Sequence, residues 1–169
     1  KEVNINYIEP LNFIDPKDRT FFILNEMIKV EENKRVEFKN YSYPLPRKLV
    51  DTIRNQICGF LNSEGGRIYF GVNDQGKVKG MYLTPKQKDL FRNELVNYTL
   101  QFYPSCRTEK LSVYFYPIRD SNSNKYIRDL YITKLVIKQG DTDKLYSITQ
   151  KPFTSYVRMD GQVVQLSAE

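Results

Sequence analysis

Three acidic residues have the chemistry and the spacing of a candidate metal site. Glu32 and Glu37 are five positions apart, and Asp74 lies in the turn-like segment NDQG, residues 73–76. Three carboxylates crowded together repel one another, and a divalent cation relieves that repulsion. Carboxylate oxygens suit Mg²⁺ or Mn²⁺. We therefore predict a Mg²⁺ or Mn²⁺ site in which all three acids are ligands and catalytic residues.

Lys39, together with the three acids, indicates phosphoryl transfer as the chemistry of the site. It follows Glu37 by two positions in RVEFKN, residues 35–40, so both side chains lie on one face of the strand that this stretch predicts. A lysine there can neutralise negative charge that develops in a phosphoryl-transfer transition state. A bound cation can polarise a phosphoryl oxygen and supply a hydroxide-like water. Metal-dependent nucleases use this order of acids followed by a lysine.

The same residues also fit a purely structural interpretation. Glutamates beside lysines on a strand commonly form a solvated face with cross-strand ion pairs. An aspartate in an N-D-x-G turn commonly serves the geometry of the turn. Residues five apart in a regular strand face opposite sides, so Glu32 can join the site only if the chain bends near Asn33 or Lys34.

The elements that must position these residues follow from periodicity and turn signals. Prolines and apolar spacing predict an irregular arm with a short helix at residues 17–29, and therefore an arm over 1–29 and one domain over 30–169. The pattern of residues 30–169 predicts an α+β fold, with a mostly antiparallel sheet flanked by two or three helices. Its predicted elements are a strand at 35–40, a helix at 47–61, a strand at 67–72, a helix capped by Thr84 that ends near Leu100, β-rich residues after 110 and a terminal hairpin around the dipeptide DG.

Composition excludes several other classes of chemistry. The chain has 169 residues, no histidine and two cysteines, so Ser-His-Asp and Cys-His mechanisms are excluded and no zinc site is expected. There is no run of about 20 apolar residues, so we expect no membrane span. The first residues, KEVNINYIEP, lack the apolar core of a signal peptide. These features favour a cytoplasmic protein.

The net charge of 26 − 20 = +6 suits a polyanionic partner. Basic residues close to the acids in the sequence are candidates to follow an RNA backbone. The guanidinium of Arg158 can either contact RNA or pair with Asp160. Exposed tyrosines at positions 41 and 43 could stack on unpaired bases, although packing of the loop explains them as well. The candidate RNA-binding residues are Lys39, Arg47, Lys48, Arg54, Lys77, Lys79 and Arg158.

Three stretches together are similar to the Schlafen-type AlbA_2 domain. They are RVEFK, then ICGFLNSEGGRIYFGVNDQGKVKG, and the closing SYVRMDGQVVQLS. The resemblance covers about residues 30–165 and implies the fold of a single Schlafen-like lobe. It also implies an endoribonuclease that cleaves tRNA or rRNA, with Glu32, Glu37 and Asp74 as its active-site acids. Lys39 matches the lysine of the family's EFK motif.

The sequence also departs from the pattern of the vertebrate relatives, which join two lobes in one chain and carry a zinc site. A single lobe implies a homo- or hetero-oligomer with another Schlafen-like lobe. Single-lobe members resemble parts of nucleases that trim small-RNA precursors, which implies perinuclear or germ-granule sites within the cytoplasm. Two alternatives remain open: a non-catalytic RNA-binding or scaffolding subunit, and a DNA-binding module. The sequence lacks G-x-x-x-x-G-K-[ST], which argues against an ATPase.

Overall fold

The computed structural model describes residues 20–28, 35–106 and 108–166. Within these residues the chain forms two α-helices, one short 3₁₀-helix and nine strands. The helices are α1 (Arg47–Leu61) and α2 (Pro85–Leu100), and the 3₁₀-helix is Thr108–Lys110. The strands are β1 (Phe22–Ile23), β2 (Val36–Lys39), β3 (Gly66–Phe70), β4 (Met81–Tyr82), β5 (Leu111–Arg119), β6 (Tyr126–Ile137), β7 (Ser147–Thr149), β8 (Thr154–Met159) and β9 (Gln162–Leu166).

The strands form two sheets. The larger has the order β1-β5-β6-β3-β2, and β4 also pairs with β6. Its β1–β5 and β2–β3 pairs are parallel, whereas its other pairs are antiparallel. The smaller sheet, β7-β8-β9, is antiparallel throughout. The predicted α+β class with a mostly antiparallel sheet is therefore confirmed.

The predicted helix at 17–29 is wrong where the structure describes it, at residues 20–28. Phe22 and Ile23 instead form β1, in register with the last two residues of β5. Asn25 then takes a left-handed backbone conformation, with φ 67°, which ends the strand in a turn. Pairing with the sheet and burial of Phe22 outweigh the weak local preference for a helix. Residues 17–19 and 29 lie outside the described part.

Both longer helices match the predicted boundaries. Thr84 caps α2 in a reciprocal capping box: its hydroxyl accepts a hydrogen bond from the Gln87 N–H, and the Gln87 side chain accepts one from the Thr84 N–H. Pro85 occupies the first helical position, where its missing N–H costs nothing. These local signals fix where α2 begins independently of its tertiary contacts.

The predicted terminal hairpin is also confirmed. Asp160 and Gly161 both have positive φ, 46° and 79°, as a two-residue type I′ turn requires. Strand β8 packs on α1, and Gly59 lies at this contact. A Cβ at Gly59 would lie 3.0 Å from Val163 Cγ2, so the glycine permits close approach of the helix and the hairpin.

The large sheet separates two apolar clusters. Ile68 and Phe70 face the cluster that contains α1 and α2, whereas Tyr69 between them faces the other cluster. Val36 and Phe38 of β2 belong to the second cluster. Because side chains alternate along a strand, the intervening Glu37 faces the helical side of the sheet.

Asn62 joins the end of α1 to the small sheet. Its Nδ2 lies within hydrogen-bonding distance of the carbonyl oxygens of Tyr146 (2.9 Å) and Tyr156 (2.8 Å) and of Ser155 Oγ (3.0 Å). Its Oδ1 accepts a hydrogen bond of 2.7 Å from the Tyr146 N–H. One side chain therefore satisfies polar groups of three residues from two segments of the chain.

Asn62→Ala is expected to lower the free energy of unfolding by about 3 kcal/mol, because it leaves several partly buried polar groups without partners. Urea denaturation followed by circular dichroism measures this change. Asn97→Ala on the exposed face of α2 is the matched control and is expected to change stability by less than about 0.5 kcal/mol. Equal losses in both variants would show that the Asn62 contacts contribute little.

Candidate active site

Glu37 is buried between two cationic side chains. Lys39 Nζ donates to its Oε1 at 2.8 Å, and Arg158 Nη2 donates to its Oε2 at 2.8 Å. Only 10% of the Glu37 side chain is exposed. The sequence predicted a polar strand face, and the structure shows that this face is covered rather than solvated. The carboxylate is consequently held in one place, with both oxygens paired to positive charge.

Arg158 brings the C-terminal hairpin to this carboxylate. Its side chain is 1% exposed, and its Nη2 also donates to the carbonyl oxygen of Val36 at 3.1 Å. The guanidinium carbon lies 4.8 Å from the centre of the Phe60 ring. The sequence offered an RNA contact or a pair with Asp160 for this residue, and the structure pairs it with Glu37. Arg158 follows Val36 by 122 positions, so no local sequence signal could have indicated the contact.

Asp74 lies in an exposed turn at the same end of the β2–β3 pair as Lys39. The Gly71 N–H donates to the Lys39 carbonyl oxygen at 2.7 Å, and Asp74 follows three residues later. Within the turn, Asn73 Oδ1 accepts hydrogen bonds from the backbone N–H groups of Gln75 and Lys77, at 3.1 and 2.9 Å. Asn73 thus supplies the side-chain contacts that shape the turn, which weakens the purely structural interpretation of Asp74.

The third predicted ligand, Glu32, lies outside the described residues. On one side of its segment, residues 29–34, the Ile28 N–H donates to the Gly76 carbonyl oxygen in the Asp74 turn at 2.7 Å. On the other side, the Arg35 carbonyl oxygen accepts from the Arg67 N–H at 2.8 Å, at the start of the β2–β3 pair. Across 20–28, 35–106 and 108–166, the structure shows no group of three acidic, cysteine or histidine residues arranged to hold a metal. Glu37 and Asp74 are oxygen donors of the type that Mg²⁺ and Mn²⁺ prefer, and the complete site stays a prediction.

The predicted basic residues other than Lys39 and Arg158 lie on α1 and on the chain that follows the Asp74 turn. Arg47 and Lys48 are exposed in the first turn of α1, whose N-terminus has no side-chain cap and no acidic residue. This end of α1 follows β2 in the chain, and a helix N-terminus that carries two cations favours an anion. Arg54, by contrast, is half-buried, and its buried Nε has no hydrogen-bond partner among the described residues.

Lys77 and Lys79 follow the Asp74 turn. Lys77 is half-buried, and its backbone N–H contributes to the turn. Lys79 is exposed, and its Nζ donates to Asn25 Oδ1 at 3.0 Å. Both therefore lie on the chain that leaves the turn, beside the segment around Asn25.

The two loop tyrosines have different surroundings. Tyr43 donates a hydrogen bond of 2.8 Å to Glu94 of α2, and its ring lies 5.4 Å from the Phe91 ring between centroids. These contacts fit packing of the loop rather than stacking on a base. Tyr41 is 42% exposed and presents its ring at the surface. Tyr41 is therefore the better candidate for a base contact.

Burial, and then the hydrogen bond to Glu94, raise the pKa of Tyr43 from 10.0 to about 12. Because the folded-state pKa lies above the unfolded value, the stabilisation is complete below about pH 10 and is lost as the pH rises towards 12. We expect Tyr43→Phe to reduce the loss of stability between pH 8 and pH 11, measured by urea denaturation. Tyr41→Phe is the control, and it should retain the pH dependence of the unmodified chain. A Tyr43→Phe curve parallel to that of the control would contradict the assignment.

The two cysteines do not supply a nucleophile. Cys58 and Cys106 are buried thiols. Burial raises the pKa of each to about 11, so very little of the reactive thiolate exists at neutral pH. Any acid–base chemistry by side chains in the described part of the chain must therefore come from carboxylates, lysine or tyrosine.

Two comparisons place this chain among known proteins. A family model described as Schlafen, AlbA_2 matches residues 32–167, which include all three predicted acids. The fold is similar to the crystal structure of the DIP2311 protein from Corynebacterium diphtheriae, with a TM-score of 0.50 and 12% sequence identity. That match covers 79% of this chain and 22% of the DIP2311 chain, so this chain spans under a quarter of that protein. In the described residues, no helix is long and apolar enough to span a bilayer.

Proposed function

Because the chain belongs to the Schlafen AlbA_2 family, we propose that it is a metal-dependent endoribonuclease that cleaves tRNA-like RNA or small-RNA precursors. The observation that carries this proposal is the fixed Glu37 carboxylate beside the Lys39 ammonium, at the end of the sheet where the Asp74 turn begins. A buried, oriented carboxylate with an adjacent lysine is suited to chemistry on a phosphate group.

Glu32, Glu37 and Asp74 would hold the Mg²⁺ or Mn²⁺ ion in this proposal. When bound, the ion would polarise a phosphoryl oxygen and lower the pKa of a water molecule. Arg158 keeps the Glu37 carboxylate oriented, because its guanidinium is fixed by Val36 and Phe60. The Lys39 ammonium neutralises charge on the phosphate as the bond to the leaving oxygen breaks.

Recognition of RNA would involve the basic residues at the same end of the molecule. Arg47 and Lys48 at the N-terminus of α1 bind backbone phosphates, with Lys77 and Lys79 extending the contact beyond the turn. Tyr41, in the loop between β2 and α1, stacks on an unpaired base. Phosphate contacts of this type predict binding that weakens steeply with salt concentration. The proposed compartment is the cytoplasm, which agrees with two reduced thiols.

The test is cleavage of end-labelled tRNA by the purified chain, with Mn²⁺ or Mg²⁺ and with a chelator. We expect fragments that disappear with the chelator and are at least about a hundredfold fewer with Asp74→Asn, since the aspartate is a ligand. Asp143→Asn is the matched control, because Asp143 lies in a distant exposed turn. Cleavage that persists in chelator, or is equal in the two variants, would exclude the mechanism.

A second candidate function is a non-catalytic RNA-binding lobe that completes another Schlafen-like subunit. The observation in its favour is that both Glu37 oxygens are already paired with cations. Light scattering after size exclusion, with and without RNA, separates the two functions. An inert monomer that binds RNA supports the second candidate, and a homo-oligomer that cleaves RNA without another subunit supports the first.

A further inference from the structure

The two cations that pair with Glu37 differ in their burial and in their other contacts. The Arg158 side chain is 1% exposed, contacts Glu37 Oε2 and the Val36 carbonyl oxygen, and lies over the Phe60 ring. The Lys39 side chain is 15% exposed, and its ammonium contacts Glu37 Oε1 from the following part of the same strand. Among the described residues, the guanidinium contacts three groups, whereas the contact shown for the Lys39 ammonium is the one with Glu37.

We propose that Arg158 is a permanent positioning residue for Glu37 and that Lys39 is an exchangeable counter-ion. Arg158 keeps Oε2 in place throughout the reaction cycle. Lys39 leaves Oε1 when a divalent cation binds there, and its ammonium becomes available to a substrate phosphate. This inference rests on the proposed function and assigns different tasks to the two oxygens of one carboxylate.

Electrostatics determines which of the two cations departs. Two unit positive charges already surround one carboxylate, and a divalent cation adds further repulsion unless one of them moves away. Removing the guanidinium from Glu37 would leave a buried charge without its partner, which is strongly unfavourable. The Lys39 side chain is 15% exposed, against 1% for Arg158, and a compact ammonium is well hydrated once it is released.

The exchange also supplies a reason for the position of Lys39. While paired with Glu37, its ammonium is neutralised and attracts a phosphate weakly. After exchange, the same charge is available close to the carboxylate, where the phosphate must bind. The lysine is then recruited only when the cation is present, so binding of the metal and stabilisation of the phosphate charge are coupled.

Nuclear magnetic resonance of the full chain, labelled at lysine ¹³Cε and arginine ¹⁵N, tests the proposal during titration with Mg²⁺. We expect the Lys39 ¹³Cε resonance to shift saturably, and the Arg158 guanidinium resonances to keep their slow exchange with water. Lys39→Arg assigns the lysine signal. Lys144, in an exposed ion pair with Asp141, is the internal control and should not follow the same saturation curve. Loss of the protected Arg158 signals, or an unchanged Lys39 signal at saturating Mg²⁺, would overturn the proposal.

Variants of Arg158 separate a positioning role from a merely structural one. We expect Arg158→Met to lower kcat at least tenfold with a smaller change in KM, at a temperature where the variant is folded, and Arg158→Lys to recover part of kcat. If Arg158→Met has a lower melting temperature but an unchanged kcat, Arg158 has a structural role and not a positioning role. If Arg158→Met does not fold, Arg158→Lys alone tests the positioning role. A kcat below that of the unmodified chain supports this role, and an equal kcat contradicts it.

The same measurements distinguish this proposal from the proposed function. If Glu37→Gln cleaves RNA like the unmodified chain, the proposed function fails and the exchange fails with it. If Glu37→Gln is inactive but Mg²⁺ displaces Arg158 rather than Lys39, only the present inference fails.

Discussion

Replacing Glu37 with glutamine is expected to reduce metal-dependent RNA cleavage by at least about a hundredfold. Glutamine keeps the shape of the side chain and one carbonyl oxygen, but it loses the charge that a divalent cation requires. It also weakens the pairing with both Lys39 and Arg158. Initial rates with Mn²⁺ and end-labelled tRNA measure the effect, and metal binding followed by electron paramagnetic resonance should weaken in parallel.

Stability must be measured beside activity, because the substitution leaves the buried Arg158 guanidinium without a charged partner. Breaking a buried ion pair in this way costs about 3 kcal/mol. Assays are therefore run well below the melting temperature of the variant. Asp89→Asn is the matched control, since the Asp89 side chain is 78% exposed on α2. A folded Glu37→Gln protein that cleaves tRNA at the rate of this control would refute a catalytic role for Glu37.

Elements with local signals could be predicted from the sequence. Helix α2 follows from Thr84, Pro85 and Gln87, which act within one turn of the helix start. The terminal hairpin follows from Asp160 and Gly161, whose residue types suit positive φ. Strand β1 has no such signal. It exists because β5 offers a free edge, and only the folded sheet brings that edge to Phe22.

The candidate site likewise has features with local sequence signals and features that depend on tertiary packing. The residue types and order of Glu37, Lys39 and Asp74 made them candidates, and the resemblance to the Schlafen-type AlbA_2 domain favoured a catalytic over a structural interpretation. The burial of Glu37 was not predictable, because Arg158, which pairs with it, comes from the C-terminal hairpin. The Arg158 contact needs the hairpin to pack on α1 first, and a strand pattern alone contains no information about that packing.

The second large effect is expected from Gly66→Ala, which should lower the free energy of unfolding by about 3 kcal/mol. A Cβ at position 66 would overlap the ring of Phe60 and lie 2.7 Å from the Arg35 carbonyl oxygen. The carbonyl oxygen belongs to the backbone at the start of β2, so it cannot move without disturbing the β2–β3 pair. Gly66 therefore permits the close packing of α1, β2 and β3. Thermal and urea denaturation measure the loss.

Gly59→Ala is the matched control. The closest approach of its added Cβ, 3.0 Å, is to the Val163 side chain, and its distances to the backbone of Val157 and Arg158, 3.4 and 3.5 Å, are ordinary contacts. The position also lies within a helix, which favours alanine. We expect it to change stability by less than about 1 kcal/mol. The two glycines also differ in their relation to the site. Displacing the Phe60 ring moves the surface on which the Arg158 guanidinium rests, so Gly66→Ala should lower kcat even where the protein is folded. A destabilised Gly66→Ala protein with full activity would show that the orientation of Glu37 does not depend on the packing of Phe60.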